Sequence, residues 1–224
     1  MNERLERIAQ LVSPDGIVKL QNAKVAVVGL GGVGGEACIA LARSGVGTLI
    51  IQDFDLVNLS NYNRQVIAND KTLGLEKTKA MSDLIKSINP YCNVIILNER
   101  FNTNSNLFNL SFDYLIDAID SVDEKVLLIK TCIKTNKIFI SSMGTAKKMD
   151  LKKLDIIDIS KTAYDPLARV IRKKLHDDNI FNKFPTLCST EVPQSGVTLG
   201  SYICVTATAG LMIADFIIKK ILEN

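Results

Sequence analysis

An α/β fold, with a mostly parallel central sheet flanked by helices, is predicted for this 224-residue chain by three observations. Strand-like runs alternate with segments of helical pattern, the order expected of βαβ units with right-handed crossovers. The strand-like runs are rich in Val and Ile without polar alternation, as in strands buried on both faces. The first of them runs straight into a glycine cluster that opens a helix, Val25-Ala26-Val27-Val28-Gly29-Leu30-Gly31-Gly32-Val33-Gly34-Gly35.

That cluster carries the most information. Gly29, Gly31 and Gly34 satisfy GxGxxG spacing. In that pattern the first glycine makes a tight turn, the second lets the backbone approach a phosphate, and the third packs helix on strand. Glu36 to Arg43 follows as a helix, so free N–H groups at its start offer a positive end to an anion. A tight βα turn with an idle loop would share the spacing. The strand before and the helix after favour a Rossmann-like, nucleotide-binding arrangement.

The remaining elements follow in order. Strands are expected at 24–29, 48–52, 93–97, 114–118 and 137–141, with helices near 32–44, 75–88 and 121–135. Asn89-Pro90 ends the second of these helices, because the residue before proline is driven out of helical geometry. Beyond 141 the character changes, and residues 142–160 are mixed and basic. Asp165 is a good N-cap and Pro166 a good first helical residue, so 166–176 should be helical. Residues 177–200 read as loop with one strand near 187–190. The apolar stretch 202–218 contains Asp215 and is short for a membrane span, so it reads as a buried C-terminal helix. With no repeat or low-complexity tract, one domain is expected over 1–224, with a distinctive basic C-terminal third at about 142–200.

Composition bounds the function. Hydrophobic residues at 47% and charged residues at 23% suit a soluble globular protein with no membrane partner. Cysteines 38, 92, 132, 188 and 204 form no CxxC pair. That argues against a zinc ribbon or disulfide framework and for a reducing, cytoplasmic setting. No apolar core precedes a cleavage site near the N-terminus, so no signal peptide is expected. The net charge of +3 is unevenly spread: residues 141–176 hold nine Lys/Arg against four Asp, leaving −2 for the remainder. Such a concentration is either the footprint of a nucleic acid or a solvated face.

The second strand ends at Asp53, where a carboxylate normally accepts ribose hydroxyls. The continuation, Asp53-Phe54-Asp55 and then Ser60-Asn61-Tyr62-Asn63-Arg64-Gln65, does not look like a dehydrogenase. Arginine forks onto phosphate oxygens, which suits a triphosphate better than a nicotinamide. For Asn61 and Asn63 the plainer alternative is turn chemistry.

In one fixed order the chain shows GLGGVG, Asp-Phe-Asp, Ser-Asn-x-x-Arg-Gln, Gly74-Leu75-Glu76-Lys77, Ile88-Asn89-Pro90 and Asp117-Ala118-Ile119-Asp120-Ser121. This combination resembles the ubiquitin-activating-enzyme superfamily in its bacterial form, the ThiF/MoeB/HesA adenylating enzymes, in which ATP adenylates a carboxylate and pyrophosphate leaves. The resemblance implies ATP and Mg2+ as cofactors. It places Gly29, Gly31, Gly32 and Gly34 in the phosphate loop and Asp53 on the ribose with Asp55 beside it. Asn61, Arg64 and Lys77 fall on the triphosphate and Asp120 on the magnesium. It likens Arg7 to an arginine that reaches the ATP of a partner subunit, which implies a homodimer. Arg64, Lys77, Asp120 and Arg7 would then carry catalysis, since a developing charge on the α-phosphate needs cations already in place.

The C-terminal third resembles the TcdA branch, the tRNA threonylcarbamoyladenosine dehydratases. The resemblance lies in Ser142-Met143-Gly144-Thr145-Ala146, Asp158-Ile159-Ser160-Lys161-Thr162, Asp165-Pro166-Leu167-Ala168 and Cys188-Ser189-Thr190-Glu191. It implies tRNA as substrate, with an activated carboxylate that closes on its own nucleoside. A tethered attacking atom has a high effective concentration, so no covalent nucleophile is required. Lys147, Lys148, Arg169, Arg172, Lys173 and Lys174 are the cations expected to meet the RNA backbone. The alternative within the superfamily is activation of a ubiquitin-like sulfur carrier, which would bring in a sulfur-transfer partner protein. The segment between Glu191 and Gly200 is shorter than in better-known members, which weakens any such role there. Cys188 reads either as a reactive thiol or as a structural strand cysteine, with the structural reading favoured.

Overall fold

The computed structural model describes residues 3–196 and 198–223. Its sheet contains β1 (Lys24–Val28), β2 (Thr48–Gln52), β3 (Asn93–Leu97), β4 (Tyr114–Asp117), β5 (Ile138–Ser142), β6 (Leu154–Asp158) and β7 (Pro185–Ser189). They lie in the order β3-β2-β1-β4-β5-β7-β6. Every pairing is parallel except that of β6 with β7. The mostly parallel sheet expected from the sequence is therefore present, and its first five strands fall within a residue of their expected bounds. β6 was not expected. Its charged Asp155 and Asp158 suit an edge strand with one open side and hide the apolar run that marks the other strands.

Among the described residues six α-helices cover the sheet: α1 (Glu6–Asn22), α2 (Gly34–Arg43), α3 (Lys77–Ile88), α4 (Val122–Lys134), α5 (Pro166–Asp177) and α6 (Ile203–Glu223). On one face α1, α2, α3 and α6 bury Leu20, Leu41, Met81 and Ile213 against Val25 and Val27. On the other α4 and α5 bury Leu128, Ile129 and Ile171 against Ala26 and Val28. Successive β1 residues thus serve opposite cores, which is why no polar position breaks the run. The N-terminal helix α1 was also not expected. It is bent at Ser13 (φ 66), the residue before Pro14, and that break masks its apolar periodicity. No described helix is long and apolar enough to cross a membrane.

The chain runs outward from β1 through β2 to β3, then returns to place β4 on the other side of β1. This reversal opens a crevice at the carboxyl ends of β1 and β4, where open α/β sheets bind ligands. The glycine turn follows β1 and Ala118–Ser121 follows β4, so the topology brings together two motifs far apart in sequence.

Candidate active site

The crevice deepens into a cavity of about 1080 Å³. Gly29, Gly31 and Gly32 form part of its wall. Gly29 adopts φ +92, and a Cβ there would lie 2.6 Å from the Ala118 carbonyl oxygen, so turn and β4 loop interlock. Gly34 sits behind them in the first turn of α2, where a Cβ would come within 1.9 Å of the Gly29 carbonyl oxygen. Gly31 has open space beside it, its nearest neighbour being the Gln65 side chain at 4.0 Å. The turn at Gly29 and the close helix packing at Gly34 are those the spacing predicts, and Gly31 leaves its backbone open to the cavity.

Asp53 lines the cavity and ties β2 to the glycine turn. Its Oδ2 accepts the Leu30 N–H at 2.7 Å and its Oδ1 the Asp55 N–H at 2.8 Å. Each oxygen keeps acceptor capacity for a ribose hydroxyl. Asp55 pairs with Lys77, Oδ2 to Nζ 2.8 Å, and the lysine side chain is only 7% exposed. Asp55 thus orients Lys77 while its own side chain stays 45% exposed on the cavity wall. Asn61 is buried and accepts the Asn58 N–H at 3.0 Å, closing a short turn. Turn chemistry thus accounts for part of Asn61, while its side chain also borders the cavity. Arg64 is half-buried and donates to Ser60 O (2.7 Å) and Asn63 Oδ1 (2.9 Å). No carboxylate pairs with it among the described residues. Asp120 is exposed on the cavity wall, and no hydrogen bond or ion pair holds it among the described residues.

The far wall is built from the β5–β6 connection and the start of α5. Asp165 caps α5 through the Ala168 N–H (2.9 Å) and also accepts the Gly144 N–H (2.9 Å). Burial pushes its carboxyl above the usual range, against the lowering effect of those N–H groups. Lys147 lines the cavity with a left-handed backbone, φ 60.

Two of the expected RNA-facing cations are corrected by this arrangement. Lys148 is 2% exposed, and its ammonium donates to the carbonyls of Tyr164 (3.2 Å) and Glu191. Burial depresses its pKa, because desolvation disfavours the charged form. Arg172 turns inward to hold the Thr162 carbonyl at 3.0 Å, with further bonds to Ile159 and the Thr162 hydroxyl. Both side chains tie loops together, which satisfies backbone carbonyls that no strand or helix reaches. Lys173 and Lys174 are exposed and paired with Asp177 and Asp123. Arg169 is exposed with no ion-pair partner among the described residues.

Arg7 lies on α1, exposed and outside the cavity of its own chain. Cys188 is 1% exposed in β7, and burial pushes its thiol up to about 11, which fits the structural reading. His176 is exposed and packs edge-on against Phe181 at 5.0 Å.

Several groups at the site were missed in the sequence. Arg100 stacks on the Phe54 ring at 3.9 Å and pairs with Glu124, all three bordering the cavity. The side-chain carbonyls of Gln52 and Gln65, two cavity residues, are buried without a donor among the described residues. Buried acceptors of this kind are rare and fit a site whose remaining donors arrive with a ligand. Behind the floor, Asp117 and Lys125 form an ion pair of 2.8 Å at zero exposure. A lysine at a helical position gives no sequence signal that its head is buried.

A Rossmann-like sheet with an interlocked glycine turn, and a switch-point cavity that gathers Arg64, Lys77 and the unengaged Asp120, has the form of a nucleotide-binding α/β protein. The sequence profile of the ThiF family matches residues 4–224, and the chain belongs to that family. It is 41% identical over 195 residues to the tRNA threonylcarbamoyladenosine dehydratase of Bacillus subtilis, covering 86% of this chain and 77% of that protein. It is 35% identical to the protein of the same name from Haemophilus influenzae, covering 99% and 94%. The crystal structure of E. coli TcdA in complex with ATP superposes with a TM-score of 0.94 at 32% identity, covering 99% of this chain and 94% of that one. A Drosophila sechellia adenylyltransferase and sulfurtransferase, MOCS3, matches 63% of this chain and 32% of its own length.

Proposed function

We propose that this chain is an ATP-dependent tRNA threonylcarbamoyladenosine dehydratase. The observation that carries the reading is likeness to dehydratases along nearly the whole chain, far wall of the cavity included. The sulfur-carrier alternative rests on a relative that matches the chain in part.

The cavity's own residues suggest how the chemistry proceeds. The threonyl carboxylate of the modified adenosine attacks the α-phosphorus of ATP and pyrophosphate departs. An atom of the same substrate then attacks the acyl carbon and AMP leaves, so one water is removed overall and the product is cyclic. The glycine turn offers backbone N–H groups to the phosphates. Arg64 and Lys77 supply fixed positive charge as the α-phosphate gains negative charge. Asp53 holds the ribose. No cysteine lines the cavity among the described residues, which agrees with closure by a tethered group rather than by a protein thiol.

Mg2+ fits the donors present. It usually takes one or two carboxylates, several waters and the substrate's phosphates, and Asp120 is an otherwise unengaged carboxylate on the cavity wall. Bound there, the ion would neutralise phosphate charge. Arg7 is assigned to the cavity of a second copy, so the working unit is a homodimer.

The test uses the purified chain with ATP, Mg2+ and tRNA carrying threonylcarbamoyladenosine. Nucleosides from digested tRNA should show loss of one water per modified adenosine, with AMP and pyrophosphate formed in equal amounts. ATP turnover that instead requires a ubiquitin-like protein and leaves the tRNA unchanged would favour the sulfur-carrier reading.

A further inference from the structure

The Asp117–Lys125 pair lies under the wall that carries Asp120, yet the mechanism above does not use it. Both side chains are fully buried, as is Ser141 on the neighbouring strand β5. The Lys125 ammonium reaches Asp117 Oδ2 at 2.8 Å and the Ser141 hydroxyl at 3.3 Å. That hydroxyl in turn donates to Asp117 Oδ2 at 2.5 Å. The remaining carboxylate oxygen, Oδ1, accepts the Ile119 N–H at 3.1 Å, inside the loop that leads to Asp120. Lys125 sits in the first turns of α4, which begins just after that loop. The loop is therefore held from both ends by one buried network, and its Ala118 carbonyl presses on the glycine turn.

A buried ion pair is weak evidence for stability, because removing two charges from water offsets much of their attraction. A hydrophobic pair of similar volume would fill the same space at no loss of stability. What such a pair cannot do is hold the Ile119 N–H in one direction. We propose that Lys125 is a positioning residue: through Asp117 and Ser141 it fixes the loop 118–121 and so sets Asp120 toward the metal and phosphates. The inference rests on the reading of Asp120 as the metal-facing carboxylate.

The double variant Asp117→Leu with Lys125→Met tests it, since it removes both charges together, leaves no lone buried ion and takes away the acceptor of the Ile119 N–H. It is expected to unfold within a few degrees of the parent and to keep the KM for ATP within about threefold. AMP formation at saturating ATP should fall by roughly 30-fold and the Mg2+ concentration for half-maximal rate should rise by about tenfold. A stable double variant with parental turnover and parental Mg2+ dependence overturns the proposal. Asp120→Ala, assayed alongside, separates the two readings: if it leaves Mg2+ dependence unchanged, the metal assignment itself fails. Should the double variant not fold, Ser141→Ala decides, because it keeps the ion pair and removes only the bridging hydroxyl. A rise of about threefold in the Mg2+ requirement supports the proposal, and no rise overturns it.

Discussion

At the scale of single residues the glycine turn allows a sharp contrast. A methyl group on Gly34 would meet the Gly29 carbonyl at 1.9 Å, whereas one on Gly31 would enter open space. Gly34→Ala is expected to lose about 3 kcal/mol or more of stability, since backbone cannot yield as a flexible side chain does. Gly31→Ala should fold with stability within about 1 kcal/mol of the parent and bind ATP at least about tenfold more weakly. Urea unfolding and ATP titration measure both, and a Gly34→Ala protein as stable as the parent would remove the packing argument. Arg64→Ala and Lys77→Ala should each slow ATP-dependent turnover by roughly 100-fold, the scale of one lost transition-state contact. Their folds should persist, because Arg64 is half-buried and the Asp55 side chain left by Lys77 is 45% exposed. Changes below threefold in both would mean that these cations do not touch the reacting phosphates. Cys188→Ser should retain most dehydratase activity, since a buried thiol held near 11 is almost wholly protonated at neutral pH. Complete loss in a folded variant would restore the covalent-thiol alternative.

At the scale of elements, the positive charge of the C-terminal third is spread over the β5–β6 connection, the segment after β6, α5 and the loop before β7. Arg172 ties α5 to the connection after β6, so Arg172→Ala should cost about 1–3 kcal/mol of stability through unsatisfied carbonyls. Other cations remain for a polyanion, Arg169 of α5 among them. Lys152 and Lys153 are exposed just before β6, and the first residue of β6, Leu154, pairs with Ser189 at the cavity end of β7. Arg169 follows Leu167, another cavity residue. Reversing the charge of Lys152, Lys153 and Arg169 should weaken tRNA binding and lower its log–log salt slope by about one unit per lost phosphate contact. ATP affinity should stay unchanged. An unaltered slope would make this edge a solvated face and move the RNA contact elsewhere.

At the scale of the whole molecule, the assignment of Arg7 to a second copy has a direct consequence. Arg7→Ala and Asp120→Ala should each be inactive alone. In a mixed dimer, the cavity of the Arg7→Ala chain keeps Asp120 and receives an intact Arg7 from the other subunit. Unfolding and refolding an equal mixture should restore about a quarter of parental activity, since half the dimers are mixed and each has one intact site. If the refolded mixture stays inactive while parental protein treated in the same way recovers, Arg7 does not act across a dimer.

Resemblance to the adenylating enzymes singled out Arg64, Lys77 and Asp120, whereas local residue pattern alone determined the parallel strands and the glycine turn. Each of these is written in a few adjacent residues, by continuous apolar runs or by spacing that one backbone geometry requires. Helix α5 was legible for the same reason, since Asp165 and Pro166 announce their cap locally. The edge strand β6 and the bent α1 were not, because charge on an open edge and a proline inside a helix both blur the periodicity. Tertiary structure alone decided which charges are free. Lys148 and Arg172 read as cations facing RNA and Lys125 gave no signal along the chain, yet the fold turns each inward onto groups 10 to 43 residues away or onto a neighbouring strand. A lysine or arginine has a long flexible stem, and its charged end goes wherever an unsatisfied carbonyl or carboxylate is buried nearby. That destination depends on chain segments that meet only when the sheet has formed.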